Sequence, residues 1–443
     1  MFFMKPSEVA LAREQADNLL RMAAKVDAYR CDIIPEKQLD ALRATAERVR
    51  DLREDKKAGA DALDTASEAL HEAMLRCGGD IYPVTFWGEN VEMLLVAAIL
   101  AIGIRTFFLQ PFKIPTNSMY PTYNGMTPYA YRLDDPGPGV PERAWNFLVH
   151  GATHYDVRAP ANGDVLIPVE GAGDLVMAKW SPHEGRKWFG LREEKQHEYT
   201  LYVGNTPVTV DVPEDFTMDQ AFLETYFPDL PPGWVDQGMP ARYMEEHGFL
   251  KRGVDPANPN IVSFYLDTGH QVKQGDKVLN FDRRTGDMLF VDRFTYNFFP
   301  PKVGDPFVFS TSGIPSLVEN GMGGQYFIKR LVGRPGDTLE VRPPALFSNG
   351  SPIQGAKSFA KEAQQTDGYP GYVYARPNYQ YPTPSMAGPG QTMTVPAGYF
   401  FAMGDNSPSS LDSRYWGGVP SQNVVGRALV IVYPFTSHVG LAK

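Results

Sequence analysis

Cysteine is scarce in this chain: Cys31 and Cys77 are the only two in 443 residues, and both precede an apolar run that begins at Met93. Everything downstream is free of thiols, so no disulfide framework holds that part together, and it can work in an oxidising or a reducing compartment. Long blocks of one charge are missing too. With a formal net charge of -10 and a pI near 5.4, the chain lacks the clustered Lys and Arg that neutralise a phosphate backbone, which argues against nucleic acid as a partner. There is no His-Glu-x-x-His, no Cys-x-x-Cys and no phosphate loop, so neither a metal nor a nucleotide cofactor is expected. Low-complexity tracts are also absent. Hydrophobic residues at 43% and charged residues at 21% are ordinary for a globular protein, and the length calls for two or three units.

What is present changes character along the chain. Residues 1–85 read as a soluble helical region: Leu39, Leu42, Ala46 and Val49 form one stripe, Leu63, Ala66, Leu70 and Met74 another. The opposite faces are charged and mixed in sign, as in an antiparallel helical hairpin. Residues 86–109 hold the run MLLVAAILAIGI. From Val91 to Leu109 its only polar residues are Glu92, Arg105 and Thr106, giving roughly 28 Å of helix, enough for one transmembrane span. Phe86 and Trp87 precede it and Phe107 and Phe108 close it, as aromatics do at the two interfaces. Its flanking charges do not orient it. Beyond residue 125 the texture is β: Gly-Asp pairs at 163, 173, 275, 286, 304, 336 and 404 each stand beside a short hydrophobic run, the punctuation of turn and strand. Residues 368–390, rich in Pro and Gly, read as a long surface loop.

Three segments carry candidate chemistry. In QPFKIPTNSMYPTYNG, residues 110–125, Ser118 stands between Pro115 and Pro121 on a stiffened loop. In QYFIKRLVGRPGDTLEV, residues 325–341, Lys329 interrupts an apolar strand. Period-2 alternation puts it on one face with Phe327 and Leu331, where burial would lower its pKa toward that of a useful base. In GYFFAMGDNSPSSLDSRYWG, residues 398–417, Asp412 and Arg414 can pair, and Ser409, Ser410 and Ser413 offer hydroxyls. Each segment alone is unexceptional. All eight histidines lie outside the three, which disfavours a Ser-His-Asp triad.

Taken together in this order, IPTNSMYPT, GDMLFVDRFTY with VGDPFVF, FIKRLVGRPGD, and GDNSPSSLDSRYWG followed by VVGRA resemble the boxes of type I signal peptidases, the Ser/Lys leader peptidases of bacteria and organelles. The resemblance implies a mainly β catalytic body of the signal peptidase I-like fold. It makes Ser118 the nucleophile and Lys329 its general base, with the Ser118 N–H and the Thr116 hydroxyl as oxyanion hole. By the same resemblance Ser410 orients the lysine, Asp412 and Arg414 support it, and Phe112, Ile114 and Ile328 line pockets for small substrate side chains. The implied substrates are exported preproteins with small residues, often Ala, one and three positions before the cleavage site. The implied enzyme is a single-pass protein of the cell membrane. Its N-terminus is cytoplasmic and its catalytic domain is on the outer, periplasmic or extracellular side, with the bilayer and the export machinery as partners.

The chain departs from that pattern in two places. Residues 126–285 form a large insertion between the serine box and the next strand, expected to be an added β subdomain with a substrate-guiding or partner-binding role as the alternative. The expected division is therefore helical region 1–85, transmembrane helix 86–109, nucleophile loop 110–125, insertion 126–285 and catalytic β domain 286–443. The second departure is Ser407, which follows Asn406 where the family commonly has an arginine-bearing form. A self-cleaving Ser/Lys repressor-type protease and an inactive membrane-anchored scaffold are the competing readings. The acidic charge and the apolar helix weigh against the first, and the presence of both Ser118 and Lys329 against the second.

Overall fold

A computed structural model of the chain describes residues 8–442 apart from 56, 84–85, 173–174, 188–191, 231–238, 256–257 and 379, so the Gly-Asp pair at 173 lies outside the described residues. The chain divides into two compact units, Met1–Gly103 and Ile104–Lys443.

The first unit contains α1 (Glu8–Arg30), α2 (Glu36–Glu54), α3 (Ala60–Cys77) and most of α4 (Phe86–Phe107). The two anticipated stripes do face a common core, with Leu42, Val49, Leu63, Leu70 and Met74 fully enclosed. A hairpin is nevertheless too few helices. Helix α1 joins the core through Ala12, Ala16, Ala23 and Val26, a stripe of small side chains that reads as weakly apolar although it lets helices approach closely. Ion pairs Arg53–Asp17 at 2.6 Å and Arg43–Asp27 at 2.9 Å tie α1 to α2; being exposed, they are screened by water and contribute little. Helix α4 differs in kind. Within it Asn90–Phe107 has a mean hydropathy of 1.7 and none of these residues is buried, so it is long and apolar enough to cross a membrane and is not a core helix.

In the second unit the principal sheet is antiparallel, and its strand order runs Leu109–Lys113, Met288–Asp292, Val424–Tyr433, Pro306–Ser310, Tyr326–Gly333, Tyr399–Met403 and Val419–Pro420. Its first pairing joins residues far apart in sequence: Leu109 opposes Asp292 and Lys113 opposes Met288. The intervening chain leaves and returns through a neck in which Thr127–Ala130 pairs with Lys277–Arg284, Arg284 facing Thr127. Between these strands, Gly163–Val272 contributes a second large sheet with an apolar core of its own that includes Val165, Ile167, Leu201, Val203, Phe222 and Leu266.

Three of the Gly-Asp pairs act as read from sequence. At Asp276, Asp305 and Asp337 the side chain accepts the amide three residues back, at 2.8, 2.9 and 2.8 Å, and a strand follows. Gly404-Asp405 instead follows a strand, Tyr399–Met403. The stretch 368–390 has neither helix nor strand among its described residues, as expected, but it is not merely a surface loop. Tyr372, Ala375, Tyr381 and Met386 are buried, so aromatic and apolar anchors hold it to the body despite its Pro and Gly content.

Candidate active site

Ser118 lies on a single 3-10 turn, Asn117–Met119, between the strand that ends at Lys113 and the neck strand that starts at Thr127. The turn is pinned on every side. Asn117 Oδ1 accepts the Gly125 amide at 2.8 Å, Pro115 O accepts that of Met126 at 3.0 Å, and Ser118 O accepts that of Asn406 at 3.1 Å. Beneath it, Met119 and Tyr123 are buried with Ile114, Leu289, Val291, Val308 and Ile328. Two glycines let backbones cross here. A Cβ on Gly286 would come within 1.9 Å of Ile114 O, and one on Gly404 within 2.3 Å of Ser118 O and 2.2 Å of Ser410 Oγ.

Lys329 reaches this turn from Tyr326–Gly333. It is 5% exposed, and its Nζ lies 2.5 Å from Ser118 Oγ. Burial pushes the ammonium down to about 8, against the opposing pull of Asp412 and Asp405 and with help from Arg414. Phe327, on the same strand face, puts its ring centroid 5.8 Å from Nζ. The arrangement is a hydroxyl touching an amine that can be neutral near physiological pH, the requirement for a nucleophile with its own base.

Arg330 points to the other face and meets a different environment. Its Nε and Nη2 donate to Asp405 Oδ1 and Oδ2 at 2.7 and 2.6 Å, and Nη1 donates to Gly304 O at 2.6 Å. Thr122, on the serine loop, donates to Asp405 and bonds with the Tyr369 hydroxyl at 2.9 Å. Both charges of the pair are buried. This is why Gly404-Asp405 follows a strand: its carboxylate ties Tyr326–Gly333 to the serine loop. Nothing in the sequence singled out Arg330, Asp405 or Thr122. The available signal was an arginine at an alternate strand position among apolar residues, with two acidic residues, Asp405 and Asp412, in the last box.

Asp412 and Arg414 do pair. Asp412 receives Arg414 Nε and Nη2, both at 2.8 Å, and the Gly404 amide at 3.1 Å. Arg414 Nη1 also donates to Val373 O at 2.7 Å and Ser407 Oγ at 2.9 Å, and Nη2 to Ser407 O at 2.7 Å. Ser407, noted only as a departure, is thus a principal partner of the buried arginine. Ser413 Oγ accepts the Ala402 amide at 3.0 Å. Ser410 is buried against Gly404, and among the described residues its hydroxyl bonds neither to Lys329 nor to any other group. Thr116 is exposed and extended one residue before the turn. Phe112, Ile114 and Ile328 come together in one apolar cluster, and the Phe112 ring meets Tyr326 edge-on at 5.2 Å.

Among the described residues one group has metal-ligand spacing. His183, Glu198 and Asp211 bring ligand atoms within 4.8 Å of one another on three adjacent strands of the inserted sheet, outside the Ser118–Lys329 site.

Residues 281–433 match the family described as "Signal peptidase, peptidase S26". The chain is 34% identical over 149 residues to "Probable signal peptidase I-1" of Synechocystis sp., covering 34% of this chain and 63% of that protein. It is 35% identical over 148 residues to "Signal peptidase I" of Leptolyngbya laminosa, covering 33% of this chain and 61% of the relative. It is also 32% identical over 153 residues to "Thylakoidal processing peptidase 1, chloroplastic" of Arabidopsis thaliana, covering 34% of this chain and 37% of that one. The matches therefore span about three fifths of the two bacterial relatives. Residues 281–433, which supply the lysine strand and the Asp405–Arg414 turn, are thus the part of this chain that is similar to the signal peptidase, peptidase S26, family.

Proposed function

We propose that the chain is a membrane-anchored signal peptidase that removes signal peptides from exported preproteins, with Ser118 as nucleophile and Lys329 as general base. The observation that carries this reading is the 2.5 Å approach of Lys329 Nζ to Ser118 Oγ, with the amine buried and its pKa depressed to about 8. Neutral Lys329 takes the Ser118 proton as Oγ adds to the scissile carbonyl. The oxyanion is met by the Ser118 N–H and the Thr116 hydroxyl, and the tetrahedral intermediate collapses as the Lys329 ammonium protonates the leaving amine. Lys329 then deprotonates the water that hydrolyses the acyl-enzyme and finally returns a proton to Ser118. Phe112, Ile114 and Ile328 supply an apolar floor suited to small substrate side chains. Asp412, held by Arg414, accepts the Gly404 amide, and the lack of a side chain at Gly404 leaves room for Ser118 O and Ser410; Ser410 acts on the lysine only through a change of rotamer.

In this reading residues 110–125 and 286–443 are the catalytic part, α4 anchors it, residues 1–85 are cytoplasmic and the body is on the outer face. The export machinery is a further partner. The test is detergent-solubilised protein with a preprotein, beside Ser118→Ala and Lys329→Ala. Cleavage by wild type and by neither variant is expected; no cleavage by wild type, or equal cleavage by either variant, refutes the mechanism.

A further inference from the structure

Helix α5 (Val140–His150) is built inside out. It carries Pro141 in its first turn and closes on Gly151 at φ 58°, so its ends are conventional; none of its residues is buried. The face that packs inward is Asn146, Val149 and His150, and Asn146 Nδ2 donates to Asp282 Oδ2 at 3.0 Å. The outward face carries Val140, Trp145, Phe147 and Leu148, exposed by 80, 64, 62 and 64%. Phe435, 63% exposed, extends the patch: its amide donates to Val149 O at 2.9 Å, while the Tyr433 hydroxyl donates to Phe147 O at 2.8 Å. A surface helix in water turns its apolar stripe to the core. The reverse arrangement marks a surface that something apolar covers.

The path of the chain identifies the cover. The strand Leu109–Lys113 begins two residues after α4 ends, and its five residues advance about 13 Å. At its far end Lys113 opposes Met288, Met288 opposes Tyr433, and Tyr433 bonds to α5. The patch is therefore one short strand away from the end of the apolar helix. Its composition is that of an interfacial helix, with Trp and Phe beside Leu and Val. Glu142 and Arg143 cancel, so no cationic face selects anionic lipid.

We propose that α5 and Phe435 form an interfacial foot that lies in the headgroup region of a lipid bilayer and holds the body against the membrane surface. This rests on the reading of α4 as a membrane anchor. Helix α5 lies in the insertion and Phe435 beyond residue 433, so neither part of the foot belongs to the matched region.

The test uses the full chain with Cys31→Ser and Cys77→Ser, and adds Leu148→Cys, Ile99→Cys or Gln274→Cys, each labelled with a polarity-sensitive fluorophore in phosphatidylcholine vesicles. Aqueous quenching at position 148 is expected to be about fivefold weaker than at exposed position 274, with position 99 also shielded. Equal quenching at 148 and 274 with 99 shielded overturns the foot and leaves the anchor intact. Quenching at 99 equal to that at 274 overturns the anchor and the foot with it. Shielding at 148 that disappears on dilution into excess lipid, or that requires a preprotein, assigns the patch to a second copy or to substrate and also overturns the proposal. A Trp145→Asp/Leu148→Asp variant should lower kcat/KM on a bilayer-embedded preprotein about tenfold and leave cleavage of a short soluble peptide unchanged. An equal loss on both substrates contradicts it.

Discussion

Lys329 and Arg330 are neighbours on one strand, are buried to nearly the same degree, and meet opposite fates. The Arg330 side of the strand offers a bidentate carboxylate, a carbonyl and the Thr122 hydroxyl, so the guanidinium is held firmly as a cation. The Lys329 side offers a serine hydroxyl and an aromatic ring but no carboxylate within bonding distance among the described residues, and desolvation lowers the ammonium pKa. Burial alone therefore does not determine what a cation becomes; the partner within 3 Å does. One face of the strand is a fastening and the other is suited to proton transfer.

The largest effect expected from breaking this contrast is at Lys329. Lys329→Met should reduce preprotein cleavage by about 10³-fold or more, measured as single-turnover rate, and Lys329→Arg should do the same because a guanidinium does not deprotonate. Stability should move the other way. The buried ammonium disfavours the fold fully below the folded pKa of about 8, and this cost fades as pH rises toward the ordinary lysine value. Lys329→Met should thus gain about 3 kcal/mol in urea unfolding at pH 6, with the gain gone above about pH 10.5.

Breaking the other face should unfold rather than inactivate selectively. Asp405→Ala strands a buried guanidinium and should cost about 3–5 kcal/mol, read as a lowered urea midpoint. Replacing Arg330 and Asp405 together by Met and Leu should restore much of that loss.

The wild-type cleavage rate should rise with pH along a single ionisation centred near 8, since the neutral amine is the working form. A flat profile between pH 6 and 9 would separate Lys329 from the proposed base.

Glu362 gives a subtler measurement. Burial pushes its carboxyl up to about 9, so the folded state holds a proton that the unfolded chain releases near 4.5, and stability should fall as pH rises between those values. Glu362→Gln should flatten that slope in urea unfolding at pH 6 and 8.5. The smallest effect is expected for Ser407→Ala, about 1 kcal/mol, because Arg414 keeps Asp412 and two carbonyls.

The sequence made the proposed dyad readable because both residues violate their surroundings, a serine between prolines and a lysine in an apolar strand. Arg330 was invisible for the complementary reason. An arginine at an alternate strand position looks like a solvated one until its carboxylate, 75 residues away, is found beside it. The β character beyond residue 125 was plain from Gly-Asp turns that bond locally, whereas strand order was not, since Leu109–Lys113 pairs across the whole insertion. The packing face of helix α1 escaped because alanines at its contact positions carry little hydropathy, and the anchoring of the loop 368–390 escaped because its buried tyrosines are sparse among Pro and Gly.

The neck formed by Thr127–Ala130 and Lys277–Arg284 bears on the order in which the molecule can assemble. Ser118 and Lys329 are 211 residues apart along the chain, a long span to close by diffusion. Most of that span lies beyond the neck. If the inserted sheet zips first, the tether left for Ser118 to find Lys329 shrinks to about a quarter, which lowers the closure entropy by about 1 kcal/mol. An insertion that looks like an obstacle in the linear chain thus becomes a short-cut in space, and amide exchange should find its inner strands protected before those of the principal sheet.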